Sequence, residues 1–211
     1  MVNTERAMVP GTHPVDGLRH FLLQQSAELV LEFSKYIHLG FGRTLSREIF
    51  QVEARHVSPA WLAEEIRGLS RQQELALHSK VLQKDRIYHL PMVDFAQVES
   101  IKTLLVKTQH LRESLSVDIT LYDSGQSMHG YYFCLVDEKE WYKYLGRLLL
   151  CDPPFGAEEQ IIDSRWVGHS LEHGFSALRW SCNSPIYQSL PHLVDVGSAE
   201  LGERDATVTL S

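Results

Sequence analysis

The sequence predicts an α+β fold in which antiparallel-rich mixed sheets carry flanking helices. Three observations lead there. Helical and strand-like segments are intermixed without alternating one for one, so a doubly wound parallel sheet is not indicated. Several strand-like segments follow one another directly across short turn signals, the connection that antiparallel pairs allow and parallel pairs do not. The chain has 211 residues, 44% hydrophobic and 22% charged, which is enough for one compact core and barely enough for two small ones.

Residues 1–14 mix Pro10, Gly11 and Pro14 with polar residues, and 196–211 shows no useful periodicity, so both ends read as flexible tails around a single domain spanning 15–195. Asp16 is placed as the cap of a helix that carries Leu18, Phe21, Leu22, Gln25 and Leu29 on one face. The following ELVLEFS alternates well enough for a strand, but the helical reading is preferred there. REIFQVEA, from Arg47, is strand-like. SPAWLAEEIRGL then has a Ser58 cap and Pro59 at the first helical position, and is a helix. ELALHSKVL and RIYHLPMVDF follow as adjacent antiparallel strands about a tight turn at Lys84–Asp85. Val98, Ile101, Leu104, Leu105 and Leu111 recur at helical spacing between Gln97 and Arg112, and VDITLYDSGQSMHGYYFCLV reads as two strands about a Ser–Gly turn. EKEWYKYLGRLLL is an amphipathic helix. After DPPFG come IIDSRWV, a short helical GHSLEHG and a closing strand, FSALRWS.

Composition excludes several classes. Lys+Arg at 20 against Asp+Glu at 27 gives a formal net charge of -7, so any polynucleotide must meet a local basic patch or come through a partner. Cys134, Cys151 and Cys182 form no CxxC pair and leave one thiol over, which argues against a disulfide scaffold or cysteine-rich zinc module and favours a reducing cytoplasm. No apolar run approaches the ~18–20 residues of a membrane span, and the first dozen residues lack a signal-peptide core. A cytoplasmic protein without membrane contact is expected.

Phosphoryl and nucleotidyl transfer need carboxylates that converge from separate strands to hold divalent ions against the charge of the transferring phosphate. Asp94 ends LPMVDF and Asp163 ends QIID, each an acid at the rim of an apolar strand. Taken singly, such an aspartate is more often a turn or helix cap. The connection Asp123-Ser124-Gly125-Gln126-Ser127-Met128-His129 is the most informative segment. Gly125 permits close backbone approach to a phosphate, Ser124 and Ser127 offer hydroxyl donors, and His129 offers a donor or a positive charge. A polar hairpin turn is the plainer alternative. Arg179, inside the apolar ALRWS strand, needs an anionic partner if buried, either a triphosphate or an internal carboxylate. His169 and His173 stand at i and i+4, but without an HExxH pattern they read as surface or capping histidines before zinc ligands.

Taken in order, strand–Asp94, Ser124-Gly125-x-x-x-His129, strand–Asp163 and Leu178-Arg179-Trp180, the chain resembles the archaeo-eukaryotic primase superfamily, particularly its small bacterial primase-like members, over about residues 45–190. The resemblance implies a primase-polymerase-like catalytic core and Mg2+ or Mn2+ as cofactor. It implies catalytic, metal-ligating roles for Asp94 and Asp163, and nucleotide contacts from Ser124, Gly125, Ser127, His129 and Arg179. A nucleoside triphosphate or nucleic acid, DNA included, is the implied ligand, a protein partner the implied companion, and a mobile element or defence system the implied setting.

One departure stands out. The family's first motif carries two acids, whereas Ala96 lies two residues after Asp94 and Met92 two before it. A carboxylate missing from a two-ion cage lowers metal affinity and rate together. Glu99 and Asp123 are the substitutes the sequence offers. The cysteine-ligated zinc element and extra helical domain of template-copying primases are missing too. The expectation is a phosphate-binding primase-like fold with weakened or lost polymerisation, against an active nucleotidyltransferase with a rearranged acid set or a non-catalytic interaction module.

Overall fold

A computed structural model describes residues 11–25, 28–38, 44–96, 104, 108–152, 160–187 and 189–194. Helix α1 (Pro14–Leu23) opens it, capped by His13, whose Nδ1 accepts the Val15 N–H at 3.1 Å. Two expectations are corrected here. The cap is His13, not Asp16, and the stretch just before the helix is no free tail: His13 is 2% exposed and its Nε2–H donates to the Trp180 carbonyl at 3.0 Å. The helix also ends at Leu23, and ELVLEFS runs into strand β1 (Val30–His38). The alternation decides, because it sends Leu31 and Phe33 into the core with Val15, Leu18 and Leu22, while a helix there would turn apolar side chains to solvent.

Strand β2 (Thr44–Glu53) pairs antiparallel with β1, setting Tyr36 opposite Arg47. After a 3-10 turn, α2 (Pro59–Arg67) starts as expected, with Ser58 Oγ accepting the Trp61 N–H at 3.2 Å. The long β3 (Gln73–Gln83) is central: β1 lies along one edge, while β4 (Arg86–His89) and β9 (Ala177–Arg179) share the other. With β8 (Val136–Asp137) beside β4, a six-stranded sheet results.

The segment RIYHLPMVDF does not stay in that sheet. Pro91 has no N–H to give to a ladder, and beyond it β5 (Met92–Asp94) joins a second sheet. There the order is β10-β6-β7-β5, from β6 (Thr120–Asp123), β7 (Met128–Tyr131) and β10 (His192–Leu193), all neighbours antiparallel. The helices α3 (Gln109–Leu115), α4 (Glu138–Leu150) and α5 (Ser164–His173) complete the described elements. Most of the helix expected from Gln97 lies outside the described residues, as does 196–211. An α+β architecture with antiparallel sheets is thus observed.

Two apolar clusters hold it together. Val15, Phe33, Leu62, Leu77 and Trp180 join α1 and α2 to the first sheet, while Val93, Phe95, Trp141, Leu145 and Ile162 bury α4 against the second. Trp166 packs against both clusters, and its indole N–H donates to the Ala177 carbonyl at 2.8 Å, tying α5 to β9. Among the described residues no helix is long and apolar enough to cross a membrane.

Candidate active site

A cleft of about 970 Å³ lies between the two sheets, and Asp94, Ser124, Ser127, His129, Asp163 and Arg179 all line it. Residues spread over some 85 positions of chain therefore share one wall system. The cause is topological. β5, at the edge of the second sheet, carries Asp94, its neighbour β7 carries His129, and β9 carries Arg179 on the first sheet. The chain before α5 then pairs back onto β5 through a Phe95–Ile162 bridge, where the Asp163 N–H donates to the Asp94 carbonyl at 3.1 Å.

The two acids differ. Asp163 is the N-cap of α5, its Oδ1 accepting the Arg165 and Trp166 N–H groups at 2.9 and 3.2 Å. Asp94 accepts the Ser127 hydroxyl proton at 3.0 Å, and His129 Nε2 stands 3.9 Å from its Oδ1. Burial pushes the Asp94 carboxyl up to about 7, reinforced by the Asp163 charge and opposed by Ser127 and Arg179. Ionising a carboxyl in this surrounding is costly, a cost that a bound cation would offset.

The Ser–Gly connection has an internal logic of its own. Ser124 Oγ–H donates to the Ser127 carbonyl at 2.7 Å and accepts the Ser127 N–H at 3.2 Å, so its hydroxyl closes the turn and Ser127 is the serine that reaches Asp94. Gly125 adopts φ +87, and a Cβ there would stand 2.6 Å from Ser189 Oγ. Its N–H, expected to face a phosphate, donates instead to Asp123 Oδ1 at 2.7 Å, and Gly125 does not line the cleft. The same bond occupies Asp123, which is also absent from the lining. Glu99 lies outside the described residues. Of the two positions at which the sequence lacks a second acid, Ala96 lines the cleft and Met92 is buried outside its lining.

His129 is 4% exposed, and burial, with Arg179 and His13 adding to it, holds its imidazole down at about 3. The ring is therefore neutral, which corrects the option of a positive charge. Its Nδ1 has no hydrogen-bond partner among the described residues. Among the described residues Arg179, 5% exposed, pairs with no carboxylate; it donates to the carbonyls of Ser124, Ser181 and Ser189 and lies 3.9 Å over the Tyr187 ring. It clamps the Ser124 turn to β9 and lends the cleft its charge. Buried Glu74 secures the next segment by accepting the Ser181 hydroxyl and the Asn183 and Ser184 N–H groups.

The opposite wall escaped the sequence reading. Arg47 lies over the Tyr36 ring at 4.9 Å and donates to Ser34 Oγ at 2.9 Å. Ser34 is linked to His78 Nε2 at 2.9 Å, and His78 Nδ1 to Glu32 Oε1 at 2.8 Å. Polar residues on one face of three adjacent strands were the available signal, and it becomes readable only once the β1–β2–β3 register is known. Among the described residues Arg47 is an exposed cation of this wall.

As to a metal, the Asp94 and Asp163 carboxylates line one cleft, and carboxylate oxygens suit Mg2+ or Mn2+, but among the described residues the group whose ligand atoms already lie close enough for one ion is His169, Glu172 and His173.

Two aspartates, a Ser–His turn and an arginine gathered between two antiparallel sheets define an α+β protein with a cleft that brings acids and arginines together. This chain belongs to the archaeo-eukaryotic primase superfamily: the model of the AEP-like family, archaeo-eukaryotic primase 1D-like, matches residues 53–192. The match takes in both aspartates, the turn and Arg179, and leaves Arg47 outside. Comparison with curated proteins gave no match, and comparison with solved structures gave none.

Proposed function

We propose that this protein binds the phosphates of a nucleoside triphosphate or nucleic acid in the cleft, with one divalent ion, Mg2+ or Mn2+, held by Asp94 and Asp163, and that its polymerase activity is weakened or lost. The observation that carries the reading is the convergence of both aspartates with Ser127, His129 and Arg179, with no acid at Ala96 or Met92, the positions two residues either side of Asp94. A bound ion would neutralise phosphate charge and orient the triphosphate. Ser127 holds Asp94 in place, His129 offers a neutral donor or acceptor, and Arg47 faces the site as an exposed phosphate contact.

A two-ion polymerase needs a third carboxylate to keep both ions against the substrate's charge. Asp123, the substitute beside the turn, is engaged with the Gly125 N–H and does not line the cleft. An active enzyme with a rearranged acid set, and a pure interaction module without a ligand, are therefore the weaker readings. The domain is taken to begin no later than Thr12, ahead of the expected residue 15, to run to 195, and to act with a protein partner in the cytoplasm.

Calorimetry with a nucleoside triphosphate and Mn2+, run beside incorporation of labelled nucleotide, tests the proposal. Ion-dependent binding with little or no incorporation is expected. Robust incorporation abolished by Asp163→Ala would establish the active enzyme, and absence of any binding would favour the interaction module.

A further inference from the structure

Helix α5 begins at the Asp163 cap and ends in His169-Ser170-Leu171-Glu172-His173, an order His-x-x-Glu-His that places all three ligating side chains on one face, at i, i+3 and i+4. All three line the cleft and are exposed. One ligand atom from each lies within 4.8 Å of the others, so modest rotamer changes bring them to the ~2.0–2.2 Å bonds of a single ion.

The local hydrogen bonding favours this use. The His173 Nδ1–H donates to the His169 carbonyl at 2.8 Å, which fixes the tautomer and leaves Nε2 as the lone-pair donor, the arrangement that orients metal-bound histidines elsewhere. The edge of the Phe175 ring, 5.9 Å from the His173 ring, further limits its rotation. His169 Nδ1 and Glu172 Oε2 are already 3.5 Å apart.

We propose that His169, Glu172 and His173 form a transition-metal site at the rim of the cleft, separate from the aspartate pair. Its chemistry is different in kind. Two imidazoles and one carboxylate suit Zn2+, Co2+ or Ni2+, whereas the all-oxygen pair suits Mg2+ or Mn2+. Three protein ligands leave coordination positions open to water or to an anionic oxygen in the cleft. The site stands independently of the nucleotide reading, since its ion binds without a nucleotide.

The test is titration of the full chain with Zn2+ and Co2+ alone, following zinc by competition with a chromophoric chelator and cobalt by visible absorption. One site clearly tighter than any bound by the aspartate pair is expected, with cobalt bands that lack the thiolate charge-transfer absorption Cys134, Cys151 or Cys182 would produce. His169→Ala/His173→Ala should weaken it by about 10- to 100-fold or more, and Glu172→Gln by less. Asp94→Asn/Asp163→Asn should leave it intact. These helix positions are exposed, and a circular-dichroism melt checks that the variants fold. Zinc affinity that survives loss of both histidines, affinity that disappears with the aspartates instead, or no site at all would overturn the proposal.

Discussion

Asp94 and His129 are register partners across the antiparallel β5–β7 pair, with Oδ1 and Nε2 3.9 Å apart. Burial drives the two groups in opposite directions, the acid up to about 7 and the imidazole down to about 3. Both are pushed toward their neutral forms, so the cleft without a cation stores unfavourable desolvation at its acidic centre. A divalent ion would relieve it.

Asp94→Asn is expected to stabilise the metal-free protein at pH 8. Because the folded-state pKa lies above the unfolded value, the folded carboxyl favours its proton, and stability is lost as pH rises through about 7. Removing the titration should gain ~1–3 kcal/mol at pH 8 and nothing at pH 4. Thermal melts at the two pH values check this, and the same variant should lose any Mn2+-dependent rise in melting temperature.

Acid should destabilise the fold before its ordinary carboxylates protonate, with the raised Asp94 carboxyl opposing the trend by a single proton. His13 and His129 are held at about 3 and His89 at about 4, burial being the main cause in each. The unfolded chain takes up these protons near pH 6.5. Between 6.5 and 4 it binds more protons than the folded chain, so stability falls as pH falls. Urea midpoints over that range measure the slope. His13→Ala should flatten it and, at pH 7, cost ~1–3 kcal/mol through the lost cap and the lost bond to Trp180.

Arg179→Lys should behave as a structural lesion as well as a binding one. A lysine cannot reproduce planar donation to the Ser124, Ser181 and Ser189 carbonyls. A loss of ~1–3 kcal/mol in chemical denaturation is expected alongside weaker triphosphate binding. Weaker binding at unchanged stability would assign Arg179 to direct ligand contact alone.

Gly125→Ala should cost ~1–3 kcal/mol, because φ +87 is a left-handed conformation and the new Cβ would meet Ser189. Equilibrium unfolding measures it, and Ser189→Ala in the same chain should recover part of the loss.

Sequence legibility followed local chemistry. The Ser58–Pro59 start of α2, the Lys84–Asp85 turn and the Ser–Gly connection were all readable, because a cap or a turn residue declares itself in a few positions. The strand at ELVLEFS was not, since Leu29 and Leu31 satisfy helical and strand periods alike until the partners of β1 are known. Nor was the switch of sheets at Pro91 recognised. In the cleft, Asp94, Asp163, Ser127 and His129 were identifiable by type and order. Which serine reaches the acid, which cation faces the open space and where the Gly125 N–H points depend on tertiary pairing. Arg47 reaches the cleft only because β2 sets it opposite Tyr36.

The most direct measurement is calorimetric titration of a nucleoside triphosphate into the wild-type protein and into Asp163→Asn, each with Mn2+ and with EDTA. Binding by the wild type in Mn2+ that is lost in EDTA and in the variant is the expected result. Equal affinity in all four titrations, or heat in none, would contradict an ion held between Asp94 and Asp163.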